Sequence, residues 1–294
     1  LPKSSSFLLL VLCMCFGYQS ANAGGPWTPQ KHKGIFIASV SPNIYKNISG
    51  DSGGLALQRR VSDITTQFYV EYGITNKLAL TANFPLKYVQ TGRSIEGSDD
   101  FNDTLPAGRM AGYGNPEAEL KYQFVNKKII LAGACKVEAP VTQYNNSNAL
   151  RTGYDTWSFI PTVYMGHSFS SRLYIQGMAA FAFRINDYSD EWRAAVEVGY
   201  KLKRPFWIAL FLQARQSINN GSRNDADLLT SNNLHTGLYM NDQQYFAWEF
   251  KFSYAFNPRL GINWALAGGL TTRYIARTPA FSFGVYYNWA EKKG

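Results

Sequence analysis

The chain has 294 residues and a formal net charge of +9, enough length for one large domain or two small ones. Its basic residues are scattered among acids, which argues against a nucleic-acid stripe, and no nucleic-acid partner is expected. Beyond Phe16 no run of about 20 apolar residues occurs, which excludes transmembrane helices, yet 15% of the chain is aromatic.

At the N-terminus, Lys3 precedes an apolar run from Phe7 to Phe16, and Ala21-Asn22-Ala23 offers small residues for cleavage. Residues 1–23 therefore read as a cleaved signal peptide, too short to span a bilayer, and 24–294 as the mature domain. Cys13 and Cys15 fall inside the signal, so the mature chain keeps one thiol, Cys135, and no internal disulfide.

From there on the dominant signal is alternation with period two. About twelve segments carry it, near 33–41, 61–73, 77–90, 114–125, 129–140, 155–169, 172–184, 191–202, 206–217, 244–256, 259–272 and 280–290. Over Pro116–Phe124, Ala118, Leu120, Tyr122 and Phe124 share one face, and Glu117, Glu119, Lys121 and Gln123 the other. Over Trp192–Leu202, Ala194, Val196, Val198 and Tyr200 oppose Arg193, Glu197 and Lys201. Over Tyr245–Phe256, Phe246, Trp248, Phe250, Phe252, Tyr254 and Phe256 oppose Ala247, Glu249, Lys251, Ser253 and Ala255. The first segment alternates poorly, and Pro85, Pro140 and Pro161 mark bulges or early strand ends, because proline cannot complete a ladder.

Short turns at Thr75-Asn76, Asn126-Lys127-Lys128, Ser170-Ser171, Lys203-Arg204-Pro205 and Asn257-Pro258 alternate with longer connections near 42–60, 91–113, 141–154, 185–190, 218–243 and 273–279. An even number of antiparallel strands with short turns at one end and long loops at the other describes an all-β, transmembrane, up-and-down β-barrel with periplasmic termini. Aromatics sort to the two ends of the apolar faces: Tyr72, Tyr122, Phe124, Phe169, Phe206, Phe256 and Trp289 near the turns, and Tyr88, Trp157, Phe183, Trp192 and Phe246 near the loops. Two such girdles fit two membrane interfaces.

The last segment, Ser282-Phe283-Gly284-Val285-Tyr286-Tyr287-Asn288-Trp289, resembles the C-terminal assembly signal of bacterial outer-membrane barrels, with Ser282, Gly284, Tyr287 and Trp289 as its carriers. That resemblance implies outer-membrane lipid and the barrel-assembly machinery as partners. Gly25-Pro26-Trp27-Thr28-Pro29, the stretch from Phe68 to Leu80, Asn83-Phe84-Pro85-Leu86 and Gly112-Tyr113-Gly114-Asn115-Pro116-Glu117 resemble the outer-membrane family grouped with phenol-degradation meta-pathway and XagA-type barrel proteins. The resemblance covers the first half of the chain, and it implies a barrel that moves hydrophobic or aromatic compounds.

The inward set holds six acids, Glu71, Glu117, Glu119, Glu138, Glu197 and Glu249, and eight bases, Lys87, Lys121, Lys136, Arg184, Arg193, Lys201, Arg215 and Lys251. Near balance favours internal salt bridges over a strongly ion-selective pore. Tyr69, Tyr174, Trp207, Phe211 and Tyr286 also point inward and narrow the bore. No enzymatic site is expected. His32 precedes the first strand, His167 and Ser168 lie at the turn end, and His235 sits among Asp225, Asp227 and Asp242 in the longest loop. Asp99, Asp100 and Asp103 lack the spacing of a calcium loop, and no Cys/His cluster or phosphate loop occurs, so no metal or cofactor is expected. Two functions remain: passive or facilitated passage of a small solute, hydrophobic or aromatic ones included, or a non-conducting scaffold within an envelope complex.

Overall fold

The computed structural model describes residues 24–50, 54–92, 106–145, 147–202, 205–223 and 236–289. The expected signal peptide lies outside them. The regular structure among them is all β. In chain order it comprises β1 (Gly34–Ser49), β2 (Gly54–Gly73), β3 (Leu78–Thr91), β4 (Gly108–Tyr113), β5 (Glu117–Asn126), β6 (Ile129–Glu138), β7 (Tyr144–Asn145), β8 (Leu150–Arg151), β9 (Ser158–Ser168), β10 (Leu173–Arg184), β11 (Glu191–Lys201), β12 (Phe206–Ser217), β13 (Gln244–Ala255), β14 (Leu260–Arg273) and β15 (Ala280–Trp289).

Thirteen of these form one antiparallel sheet in which β1 pairs with both β2 and β15, and β2 pairs with β3, so the sheet closes on itself. β4 and β5 pair in succession with β3 and share one place in the wall, which is therefore twelve strands around. Closure removes every free edge, and alternation does the rest. Phe250, Leu210, Val196 and Phe283 are exposed on the outer face, while Glu71, Lys121, Glu197 and Tyr286 are buried inside. Outer aromatics pack across strands, as where Phe252 stacks on Trp264 with ring centres 5.5 Å apart.

Two expected loops are partly wall. The 42–60 connection is mostly hairpin, since β1 runs on to Ser49 and β2 starts at Gly54, with a register shift between Tyr45 and Asn47. Here the inward residues Tyr45 and Val61 stay apolar and buried while the exposed residues beyond Ile44, such as Lys46, Asn47 and Arg60, are polar, so the lipid-facing pattern fades although the ladder continues. Likewise Gly108–Tyr113 extends the ladder within the expected 91–113 loop.

The prolines behave individually. Pro140 follows the end of β6. Pro85 faces the break between β4 and β5, where the Gly114 amide donates to its carbonyl. Pro161 lies inside β9 without changing its register, but the ladder to β10 skips from Ala180–Thr162 to Phe183–Phe159. The missing N–H accounts for the gap.

At the loop end, Tyr45, Ile48, Val61 and Val89 from the wall enclose Leu150, Leu238, Met240 and Tyr274 from the connections. This apolar cluster folds the 236–243 segment inward over the β1–β3 side of the mouth.

Candidate functional site: the barrel interior

Period-two alternation delivers the inward side chains, but their partners come from strands that are not neighbours in sequence. Glu191, the first residue of β11, has no solvent exposure. It receives Arg184 at 2.8 Å, Arg215 at 2.6 Å and Arg193 at 3.1 Å. Arg193 also grips Glu138, 2.7 Å away on β6. Tyr154 lies against Arg184 and Arg215, its ring centre 5.6 and 5.1 Å from their guanidinium carbons, and its hydroxyl bonds to Gln243. This cluster sits at the loop end. Beside it, Lys87 pairs with Asp63 at 2.9 Å and donates to Thr65 at 2.6 Å. The Tyr239 phenol, in the connection above, is pushed well above the usual phenol range, first by burial and then by Asp63.

Deeper, Lys136 meets Glu117 at 3.1 Å, and Glu119 accepts from the Tyr164 hydroxyl at 2.9 Å. Toward the turns, Lys121 pairs with Glu71 at 2.7 Å. Lys251 pairs with Glu197 at 2.8 Å and stands 4.0 Å from Glu249. Lys201 lies 5.4 Å from the Trp207 ring centre. Asp63, Glu191 and Tyr164 join the expected inward groups. Alternation puts Asp63 on the face of Glu71, and Glu191 on the face of Arg193, but both stand where the apolar face fades.

One element is invisible to periodicity. Residues 24–30 run inside the wall. Lys121 donates to the carbonyls of Gly25 at 2.8 Å and Trp27 at 3.1 Å, and Gln123 donates to Pro26 at 3.0 Å. The Trp27 indole meets Tyr174 edge-on with ring centres 5.6 Å apart. Gly166 on β9 makes room for this, since a Cβ there would fall 2.6 Å from Pro26 and 2.9 Å from Trp27. The segment therefore fills the arc from β2 round to β10.

The opposite arc differs. Inward positions on β13–β15 and β1 are mostly small: Ala247, Ala255, Gly261, Ala265, Ser282, Gly284 and Ser39. They leave a cavity of about 180 Å³ bounded by Ile37, Trp207, Glu249, Lys251, Asn263 and Tyr286. Tyr174 closes its floor by donating to Glu197 at 2.7 Å. Lys251 holds its ammonium 4.0 Å from the Phe211 ring centre. The interior is thus half filled by ion pairs and the internal segment, and half lined by small, aromatic and amide side chains.

The histidines have structural surroundings. His32 Nδ1 is 2.8 Å from the Tyr72 hydroxyl, and His167 Nδ1 is 2.5 Å from the Lys128 carbonyl, with its ring edge-on to Phe169. Asp99, Asp100, Asp103, Asp225, Asp227 and His235 lie outside the described residues. Cys135 is free and exposed on the outer face.

No protein-family model and no curated protein matches the chain. Solved structures do. A COG4313 outer membrane channel from Pseudomonas putida F1 superposes with a TM-score of 0.68 at 13% identity, covering 92% of this chain and all of that one (100%). The NanC porin superposes with a TM-score of 0.51 at 9% identity, covering 85% of this chain and 98% of that one. At such identities the likeness is one of fold: the chain has the closed twelve-stranded barrel architecture of outer-membrane channels.

Proposed function

We propose that the protein resides in the bacterial outer membrane with its turns and termini on the periplasmic side and allows a small solute to pass through the β12–β1 side of the lumen. The observation that carries this is the asymmetry of the interior. Charges on the filled arc are spent on one another, while the opposite arc keeps small inward residues beside Trp207, Tyr286 and the Lys251–Glu197 pair. A wall of alanine, glycine and serine with aromatic and amide side chains suits a solute that is partly apolar. The superposition on an outer membrane channel supports conduction, and the Gly25-Pro26-Trp27 and Gly114-Asn115-Pro116 motifs support kinship with phenol-degradation meta-pathway and XagA-type barrels. The fourteen charged residues of the expected set then serve as pathway lining and internal struts, and Ser282, Gly284, Tyr287 and Trp289 as the assembly signal on the closing strand.

Conductance of the purified protein in planar bilayers tests this. The parent should open small, steady channels, and Trp207→Ala should enlarge them. A folded parent that conducts nothing would replace passage by the scaffold reading, which the internal 24–30 segment and the inward 236–243 connection favour.

A further inference from the structure

Residue 24, the first after the expected leader, is already inside the barrel. Its nitrogen lies 3.3 Å from Glu71 Oε2. We propose that cleavage after Ala23 turns the Gly24 amino group into a built-in ligand of the lumen: an α-ammonium that docks on the Glu71 carboxylate and seats residues 24–30 across the interior. This inference does not depend on whether the barrel conducts.

The site is built to receive a cation. Glu71 is 2% exposed. One of its oxygens takes Lys121, while among the described residues the other has long contacts, 3.3 Å from the Tyr69 hydroxyl and 3.3 Å from Gly24. From this level to one step nearer the loops, three carboxylates, Glu71, Glu119 and Glu117, face two ammonium groups, Lys121 and Lys136, and Glu119 meets a tyrosine hydroxyl. Buried charge that is not matched is expensive. An α-ammonium at Gly24 supplies the missing positive charge. The surplus cation of the arginine cluster, where Arg184, Arg193 and Arg215 face Glu138 and Glu191, reaches this group through Glu138, which lies opposite Glu117 on the ladder, and not at Glu71.

A second acceptor stands beside the next residue, Gly25. Gln176 Oε1 is buried without a hydrogen-bond donor, and a Cβ on Gly25 would lie 1.9 Å from it. A peptide N–H offers one hydrogen, which Glu71 takes. An ammonium offers three, enough for the carboxylate and a neighbouring carbonyl. The backbone at this point turns with φ of +84° at Gly24 and +95° at Gly25, conformations that favour glycine. The Gly24-Gly25 pair therefore brings a chain terminus close to the wall, where Lys121 clasps the next carbonyls.

The test is the reactivity of that amine. Protein extracted from membranes in detergent is labelled by reductive dimethylation, folded and heat-unfolded, and its peptides are weighed. The mature chain should begin at Gly24. Its amine should label about ten-fold more slowly in the folded barrel, the change in free-amine fraction for a one-unit rise in pKa beside a carboxylate. Exposed Lys31 serves as the internal reference and should show no such protection. Glu71→Gln should abolish the difference. A mature chain that begins elsewhere, or a Gly24 amine labelled equally fast in both states of the parent, overturns the proposal, and the parent comparison decides even if Glu71→Gln fails to fold.

Discussion

Lys121 reaches over strand β3 to hold Glu71 at 2.7 Å, although the strands that carry them do not touch. Lys121 lies opposite Ala79 on β3, and Glu71 lies opposite Thr81. Two strand spacings, about 9.6 Å in all, separate the outer strands. The lysine can bridge that gap only because the side chain beneath it is a methyl group, itself 0% exposed.

Ala79→Leu should therefore lower the melting point of the folded barrel, read as the temperature at which its heat-modifiable gel mobility is lost. Overpacking of a filled interior costs roughly 1–3 kcal/mol. Ala82→Leu, on the outer face of the same strand, should melt like the parent. Equal melting of the two variants would show that the space above Ala79 is not filled.

Glu191→Gln should be the more damaging of two charge removals. It leaves three arginines around a fully buried amide, and loss of one partner from a buried pair costs roughly 3–5 kcal/mol. Lys136→Gln breaks a pair whose side chains are 26% and 28% exposed, so water can take over part of its role and the loss should be smaller. Denaturant midpoints in detergent would order them, and a reversed order would refute the cluster as a stabilising centre.

Phe250→Arg should block assembly more than Lys251→Phe. Phe250 is exposed on the outer face near mid-strand, where arginine against lipid costs roughly 2–4 kcal/mol. Lys251→Phe forfeits an ion pair that is 38% exposed on the lysine side. The yield of the heat-modifiable band from membranes measures both, and comparable yields would mean the outer face is not in lipid.

Gly25→Ala should unseat the internal segment. Its φ of +95° is strained for alanine, and the new methyl would collide with Gln176. Proteolysis near Lys31 and Lys33 should quicken, and bilayer conductance should rise. A digest and a conductance like the parent's would argue that residues 24–30 do not occlude the pathway.

The sequence makes the wall readable because lipid outside and water or ion pairs inside impose opposite demands on successive residues. Strand β12, expected over 206–217, spans Phe206–Ser217. Outside the bilayer that contrast fades, which hides the outer part of the β1–β2 hairpin. Alternation also gives a residue's face but not its depth or its position around the barrel. It puts Arg193 and Glu138 inside without revealing that they meet at 2.7 Å across β9 and β10. Residues 24–30 have no period at all, because an irregular segment held by Lys121 and Gln123 through backbone carbonyls needs no side-chain pattern.

The seam between β1 and β15 joins Gly34–Val40 to Phe283–Trp289 over seven residue pairs, the shortest ladder in the wall when β4 and β5 are taken together. It is also the one seam whose two strands no turn or loop connects. Parting it would unroll the cylinder into a ribbon with every hairpin intact. The Trp289 indole lies against Gly34, where a Cβ would come within 2.3 Å of its ring. Pulled by its two ends, the molecule would first give up the internal segment held by Lys121 and Gln123, and the wall itself would then part at this tryptophan–glycine latch, from the turn end toward Val40.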